Sequence, residues 1–215
     1  MSAVLANLPA FLEGFRMTLV LLAVSGGGAL VLGTIVAVMR VSPVATLRWL
    51  ATGYTELFRN TPLTLVFAFF VFVVPTLGVR VDFIWLALVS LTLYTSPFVA
   101  EAIRSGINGV PVGQAEAARS IGLGFGQTLG LVILPQALRM SVPPLINVLI
   151  ALTKNTSVAG GFFIVELVAT GRQLANANGN AVIPILLAVA AFYLVITITL
   201  GLVAGRVESK VRVLR

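Results

Sequence analysis

Long runs without a single charge constrain this chain more than any other feature. Residues 17–39 lie between Arg16 and Arg40, 60–79 between Arg59 and Arg80, and 83–100 between Asp82 and Glu101. Residues 173–205 lie between Arg172 and Arg206 and are densely apolar from Ala181 onward. A helix crossing roughly 30 Å of hydrocarbon needs about 20 apolar residues. These runs therefore predict spans near 15–39, 62–79, 83–103 and 181–205. The stretch 104–160 is harder. Residues 120–138 carry no charge but hold Gly122, Gly124, Gly126, Gly130 and Pro135, and glycine is a poor helix former in water though tolerated in lipid. A fifth span near 135–155 follows if Arg139 snorkels to the interface. The expectation is an all-α membrane protein, a single domain over 1–215 with about five transmembrane helices and a loop near 104–134.

Composition narrows the chemistry. Apolar residues make up 59% of the chain and charged ones 10%, with a mean hydropathy of +1.08; soluble domains sit near 45–50% and about 25%. Disorder is excluded by this apolarity. Cys and His are absent, which removes the usual side chains of zinc, haem, thiol and Ser-His-Asp chemistry. No metal site and no catalytic residue is expected. The net charge of +7 reads as orientation rather than nucleic-acid binding. With five spans, one side holds Arg40, Arg48, Arg59, Arg104, Arg119, Arg139, Arg206, Lys210, Arg212 and Arg215, and the other Arg16, Arg80, Lys154 and Arg172. Ten against four places the N-terminus out and the C-terminus in. The first 16 residues show no basic n-region and no small-residue cleavage site, so the first span is read as the anchor itself.

The loop from 104 to 134 is the informative part. Val110-Pro111 punctuates the chain, and Pro111 can open a helix. Gln114 to Ile121 forms a short Ala-rich helix, with Gly122 placed to end it as a left-handed cap. A second short helix fits Phe125–Leu134, with Pro135 in the first turn of the next span. Ala115, Ala117 and Ala118 permit close approach by another surface, and Glu116 and Arg119 share a face and can pair. Pattern alone leaves this segment either an ordinary interfacial connection or a docking element.

At this segment the chain resembles the integral membrane subunits of ATP-binding-cassette (ABC) importers, specifically the polar amino-acid permeases. Their EAA motif reads here as Glu116-Ala117-Ala118, with Gly122 four residues on and Ile133-Leu134-Pro135 closing the apolar stretch. Glu56-Leu57-Phe58-Arg59-Asn60-Thr61-Pro62-Leu63, Pro135-Gln136-Ala137-Leu138-Arg139, Pro143-Pro144-Leu145 and Lys154-Asn155-Thr156-Ser157 are similar too, from about Gly14 to Glu208. Met39-Arg40-Val41-Ser42-Pro43 and Arg59-Asn60-Thr61-Pro62-Leu63-Thr64-Leu65 look most like glutamate-uptake permeases of actinobacterial type.

The resemblance implies a type I importer fold in a bacterial plasma membrane. Two permeases, either two copies or a homologous pair, would be joined by two ATPase subunits and an external amino-acid-binding protein. The chain has no Gly-x-x-x-x-Gly-Lys-Ser/Thr loop, so ATP and Mg would be bound by the partner, with no cofactor here. Gln114, Glu116, Ala117, Ala118, Arg119 and Gly122 would carry ATPase coupling, and Pro135, Pro143 and Pro144 would let the fourth span break near a cavity.

Lys154, Asn155, Thr156 and Ser157 are the substrate candidates. Lys154 is either an interfacial anchor or the holder of a substrate carboxylate, and no acidic residue stands beside it, which favours glutamate, then glutamine or aspartate. Glu56 and Arg59 read as a structural pair near the cytoplasmic surface, Arg40 as a topology anchor, and Phe67, Phe69, Phe70 and Phe72 as lipid or subunit packing. Residues 158–180 read as an outside loop with a short apolar helix. A stand-alone channel or ion-driven transporter is the alternative, but it ordinarily places ionisable groups within its spans, and the apolar runs hold none. A membrane enzyme lacks both His and Cys and any close carboxylate pair within a span.

Overall fold

The computed structural model describes residues 2–212, with side chains placed for 3–206. Lys210 and Arg212 lie outside the described side chains, and Arg215 lies outside the described residues. Described residues form helices and connections only. A short helix α1 (Ser2–Ala6) leads into α2 (Leu8–Val41), which at ~1.5 Å per residue is about 50 Å long and exceeds the hydrocarbon thickness. Helices α3 (Ala45–Asn60) and α4 (Leu63–Ala68) follow, α4 running on through a π-turn (Phe69–Val73) and a 3-10 turn (Val74–Leu77). Next come α5 (Phe83–Asn108), α6 (Val112–Ser120), α7 (Phe125–Gln127), α8 (Leu134–Asn155), α9 (Leu167–Ala177) and α10 (Val182–Arg212).

Four stretches are long and apolar enough to cross a membrane: Leu8–Val41, Phe83–Asn108, Phe125–Gly161 and Gly179–Arg206. A fifth crossing requires the bent pair Ala45–Asn60 and Leu63–Leu77, which meet at 101°. The protein is thus an all-α membrane protein with four or five spans. The run expected at 62–79 is helical only to Leu77, about 22 Å long, too short alone for ~30 Å of hydrocarbon. The bend has a local cause. Thr61 precedes Pro62 and is driven to an extended conformation, φ −97° and ψ 132°, because the proline ring disfavours the helical region for its predecessor.

Two expectations for the loop and fourth span are corrected. No connection separates a second loop helix from the span: α7 continues through a π-turn (Thr128–Ile133) directly into α8. A π-turn widens the helix just ahead of Pro135, where a regular turn would bring the ring against the preceding carbonyl. The fourth span also does not break at Pro143-Pro144, which lie inside α8 with helical assignment on both sides.

The core lies where α2, α5 and α8 meet. Leu21, Leu91 and Leu152, one from each helix, are fully buried together with Phe67 from α4. Phe67 stacks on Phe162 at 5.1 Å, whereas Phe69 and Phe72 are about half exposed. At the other end of α5, Gly106 lets α8 approach closely. A Cβ there would stand 2.5 Å from the Ala137 carbonyl oxygen, and Ser141 Oγ donates across the crossing to the Ile103 carbonyl at 3.3 Å.

Candidate functional site

The EAA segment forms a compact surface knob. Pro111 caps α6, and the helix ends at Gly122 with φ +87°. There the Leu123 N–H donates to the Ala118 carbonyl at 3.1 Å and the Gly122 N–H to Arg119 at 2.9 Å. Only glycine adopts this left-handed turn without strain. The Gly124 N–H then donates to Gln127 Oε1 at 3.1 Å, securing the start of α7. Ala118 faces inward at 4% exposure, while Gln114, Glu116, Ala117 and Arg119 are exposed. The Glu116–Arg119 pair allowed by spacing is absent among the described residues. Around them Val112, Ile121 and Phe125 are each more than 70% exposed, an apolar cap on a loop of small residues.

Between α5 and α8 lies an open cavity of about 420 Å³. Tyr94, Thr95 and Phe98 of α5 face Asn147, Ala151 and Asn155 of α8, and no charged residue lines it. The antiparallel crossing sets the levels: Ser141 meets Ile103, so Asn147 stands near Phe98 and Asn155 toward the other end. Thr18, Thr55 and Thr153 all return their hydroxyls to the carbonyl four residues back. Thr95, 3% exposed, keeps its buried Oγ1 without a hydrogen-bond partner. Such a group is costly unless something else satisfies it.

The four substrate candidates separate. Asn155 lines the cavity. Lys154, one position round the helix, is exposed. Thr156 is fully buried and donates to the Thr153 carbonyl at 2.7 Å, and Ser157 donates to the Lys154 carbonyl at 2.7 Å. Those two hydroxyls are committed to the 3-10 turn (Thr156–Gly161) that follows α8.

Two charged clusters were not evident from sequence. Glu101 gathers three arginines: Oε1 binds Arg40 and stands 3.5 Å from Arg59, while Oε2 accepts from Arg104 at 2.7 Å. Arg40, read as an anchor, therefore ties α2 to α5. Arg59 pairs with Glu101 rather than Glu56, whose carboxylate instead accepts from Asn60 at 3.0 Å. Spacing within α3 could not reveal a partner 42 residues away. The Arg59 guanidinium also stands 6.0 Å from the centre of the Phe98 ring, over its face.

The second cluster lies in the connection between α8 and α10. Glu166 is fully buried and caps α9, accepting from Val168 and Ala169 N–H groups at 2.8 Å and from Tyr193 Oη at 3.0 Å. Burial pushes its carboxyl above the ordinary range against these donors. Arg172 donates to the Gly160 carbonyl at 2.8 Å. The segment expected as an outside loop is thus fastened to α10, and the Leu167 N–H donates to Thr18 Oγ1 of α2 at 3.2 Å.

Comparison with known proteins follows the same lines. A family profile described as "Binding-protein-dependent transport system inner membrane component" matches residues 29–213. The glutamate transport system permease protein GluC of Corynebacterium glutamicum is 41% identical, with 99% of each chain covered. The probable glutamine ABC transporter permease protein GlnM of Bacillus subtilis is 40% identical over 95% of this chain and 94% of its own. A crystal structure of an amino acid ABC transporter with histidines superposes with a TM-score of 0.90 at 26% identity, covering 96% of both chains. With a matching profile over most of its length and relatives of this identity end to end, the chain belongs to the binding-protein-dependent inner-membrane transport components, as an ABC permease of the polar amino-acid group.

Proposed function

We propose that this permease serves an ATP-driven importer of glutamate, with glutamine and aspartate as the next candidates. The observation that carries the reading is the cavity between α5 and α8, with its unpartnered Thr95 hydroxyl and its uncharged amide and aromatic walls. A polar amino acid would satisfy that hydroxyl and the Asn147 and Asn155 amides. Lys154 stands beside the Asn155 end with no acidic neighbour, which favours a carboxylate over a cationic side chain. The similarity to one glutamate and one glutamine permease supports a substrate of that size.

Energy enters through a separate ATPase that binds ATP and Mg. The exposed apolar residues Val112, Ile121 and Phe125 around Glu116-Ala117-Ala118 support the α6 knob as its docking surface. Gln114, Glu116 and Arg119 supply the polar rim, Ala117 the close approach and Gly122 the turn. A second permease, identical or homologous, and an external amino-acid-binding protein complete the assembly. It sits in the bacterial plasma membrane with the N-terminus out and the C-terminus in. The test is uptake of radiolabelled L-glutamate by the transporter in liposomes, with and without internal ATP and the binding protein. Uptake needing both is expected. Uptake independent of ATP would establish the stand-alone transporter instead.

A further inference from the structure

Every residue lining the α5–α8 cavity is uncharged, yet a surplus of positive charge stands directly behind one of its walls. Glu101 is the only acidic partner of Arg40, Arg59 and Arg104 among the described ion pairs. Three guanidinium groups and one carboxylate leave two positive charges uncompensated. Arg59 is the least committed of the three. Its contact to Glu101 is the longest, at 3.5 Å, and 42% of its side chain is exposed, against 15% for Arg40.

Both Glu101 oxygens are already engaged by closer donors, Arg40 on Oε1 and Arg104 on Oε2. Arg59 meanwhile lies against Phe98, 6.0 Å from the ring centre, and Phe98 is a wall of the cavity. The nearest acidic group on its own helix, Glu56, is turned to Asn60.

We infer that Arg59 is a specificity-determining residue of this permease, an electropositive end to the cavity at Phe98 and Asn147 that favours anionic over neutral amino acids. This rests on the cavity being the amino-acid site. A full charge behind one aromatic ring, in a medium less polarisable than water, changes the affinity for an anion on the order of tenfold while leaving a neutral isostere nearly unaffected. Glutamate and glutamine differ in little else, so their ratio reads the charge alone.

The experiment is equilibrium binding of tritiated L-glutamate and L-glutamine to the purified assembled transporter in nanodiscs. The external binding protein is omitted, so that only the permease discriminates. Arg59→Gln is expected to weaken glutamate about tenfold and glutamine less than threefold, and Arg59→Lys to hold the glutamate affinity within about threefold. Asn147→Asp leaves the arginine cluster untouched and puts a carboxylate at the same end. It is expected to reverse the preference toward glutamine, and keeps the inference open to test if Arg59→Gln does not assemble. Equal losses for both amino acids in Arg59→Gln, or an unchanged glutamate affinity in either Arg59→Gln or Asn147→Asp, would overturn the charge assignment while leaving the cavity as the site. Failure of the unmodified transporter to bind either amino acid would overturn the cavity reading and this inference with it.

Discussion

Gly106→Ala tests the close crossing of α5 and α8. The added Cβ would overlap Ser141 Oγ and stand 2.5 Å from the Ala137 carbonyl oxygen and 2.9 Å from the Ser141 amide nitrogen. The hydroxyl can rotate, but the other two atoms belong to the backbone of α8. Relief to an ordinary contact of about 3.4 Å means moving α5 and α8 apart by roughly 0.5–1 Å at this level, and overpacking of this kind costs about 1–3 kcal/mol. At the middle of that range, thermal unfolding of a chain this size falls by about 4–8 °C. Unfolding in detergent, followed by helical circular dichroism, measures it. Gly53→Ala is the control, because a Cβ there meets nothing within 4 Å and the higher helix propensity of alanine makes it neutral or slightly stabilising. Adding Ser141→Gly to Gly106→Ala should recover only part of the loss, since both backbone contacts remain. Equal midpoints for Gly106→Ala and the unmodified protein would refute the close crossing and the packing built on it.

Gly122→Asp should leave ATP hydrolysis by the assembled transporter measurable while uptake falls at least tenfold, because positive φ disfavours any side chain by about 1 kcal/mol or more and the charge adds a desolvation cost at the proposed docking surface. Normal ATP-driven uptake would remove Gly122 from the coupling turn. Glu166→Ala removes the cap of α9 and takes the carboxylate acceptor from the Tyr193 hydroxyl, a loss of about 1–3 kcal/mol visible as a lower unfolding midpoint, with Glu166→Gln intermediate. Lys154→Gln should raise the KM for glutamate with expression unchanged, and Lys154→Arg should be partly tolerated; unchanged kinetics in Lys154→Gln would make the residue an anchor. A single Cys at Ser120 should react with impermeant maleimide only from the cytoplasmic side, and reaction from outside would invert the topology.

Much of this architecture was legible from charge placement. Runs without Lys, Arg, Asp or Glu marked α2, α5 and α10, because desolvating a charge in lipid dominates every other local preference. Helix α3 escaped for the complementary reason: its polar and apolar residues alternate by face, so no charge-free run betrays it, and only its packing through Ala51 and Tyr54 against α5 reveals its place. The continuity of α7 with α8 was hidden by glycine, which lowers helix propensity in water but is easily carried where surroundings satisfy the backbone. Within the site, Gly122 was readable because a left-handed turn has a one-residue signature. The partnership of Arg59 with Glu101 and Phe98 depends on how α3 lies across α5, which no local pattern encodes.

The uninterrupted helical path from Phe125 to Asn155 has a mechanical consequence. Thirty residue steps at ~1.5 Å make a helical path of about 45 Å, with the exposed α6 knob at one end and the cavity at the other. A tilt of about 5° at the knob displaces the far end by about 4 Å, more than the length of a hydrogen bond. If the knob docks an ATPase as proposed, leverage of that size would let a small rotation imposed there make or break the contacts Asn155 holds, with no chain having to unfold between them.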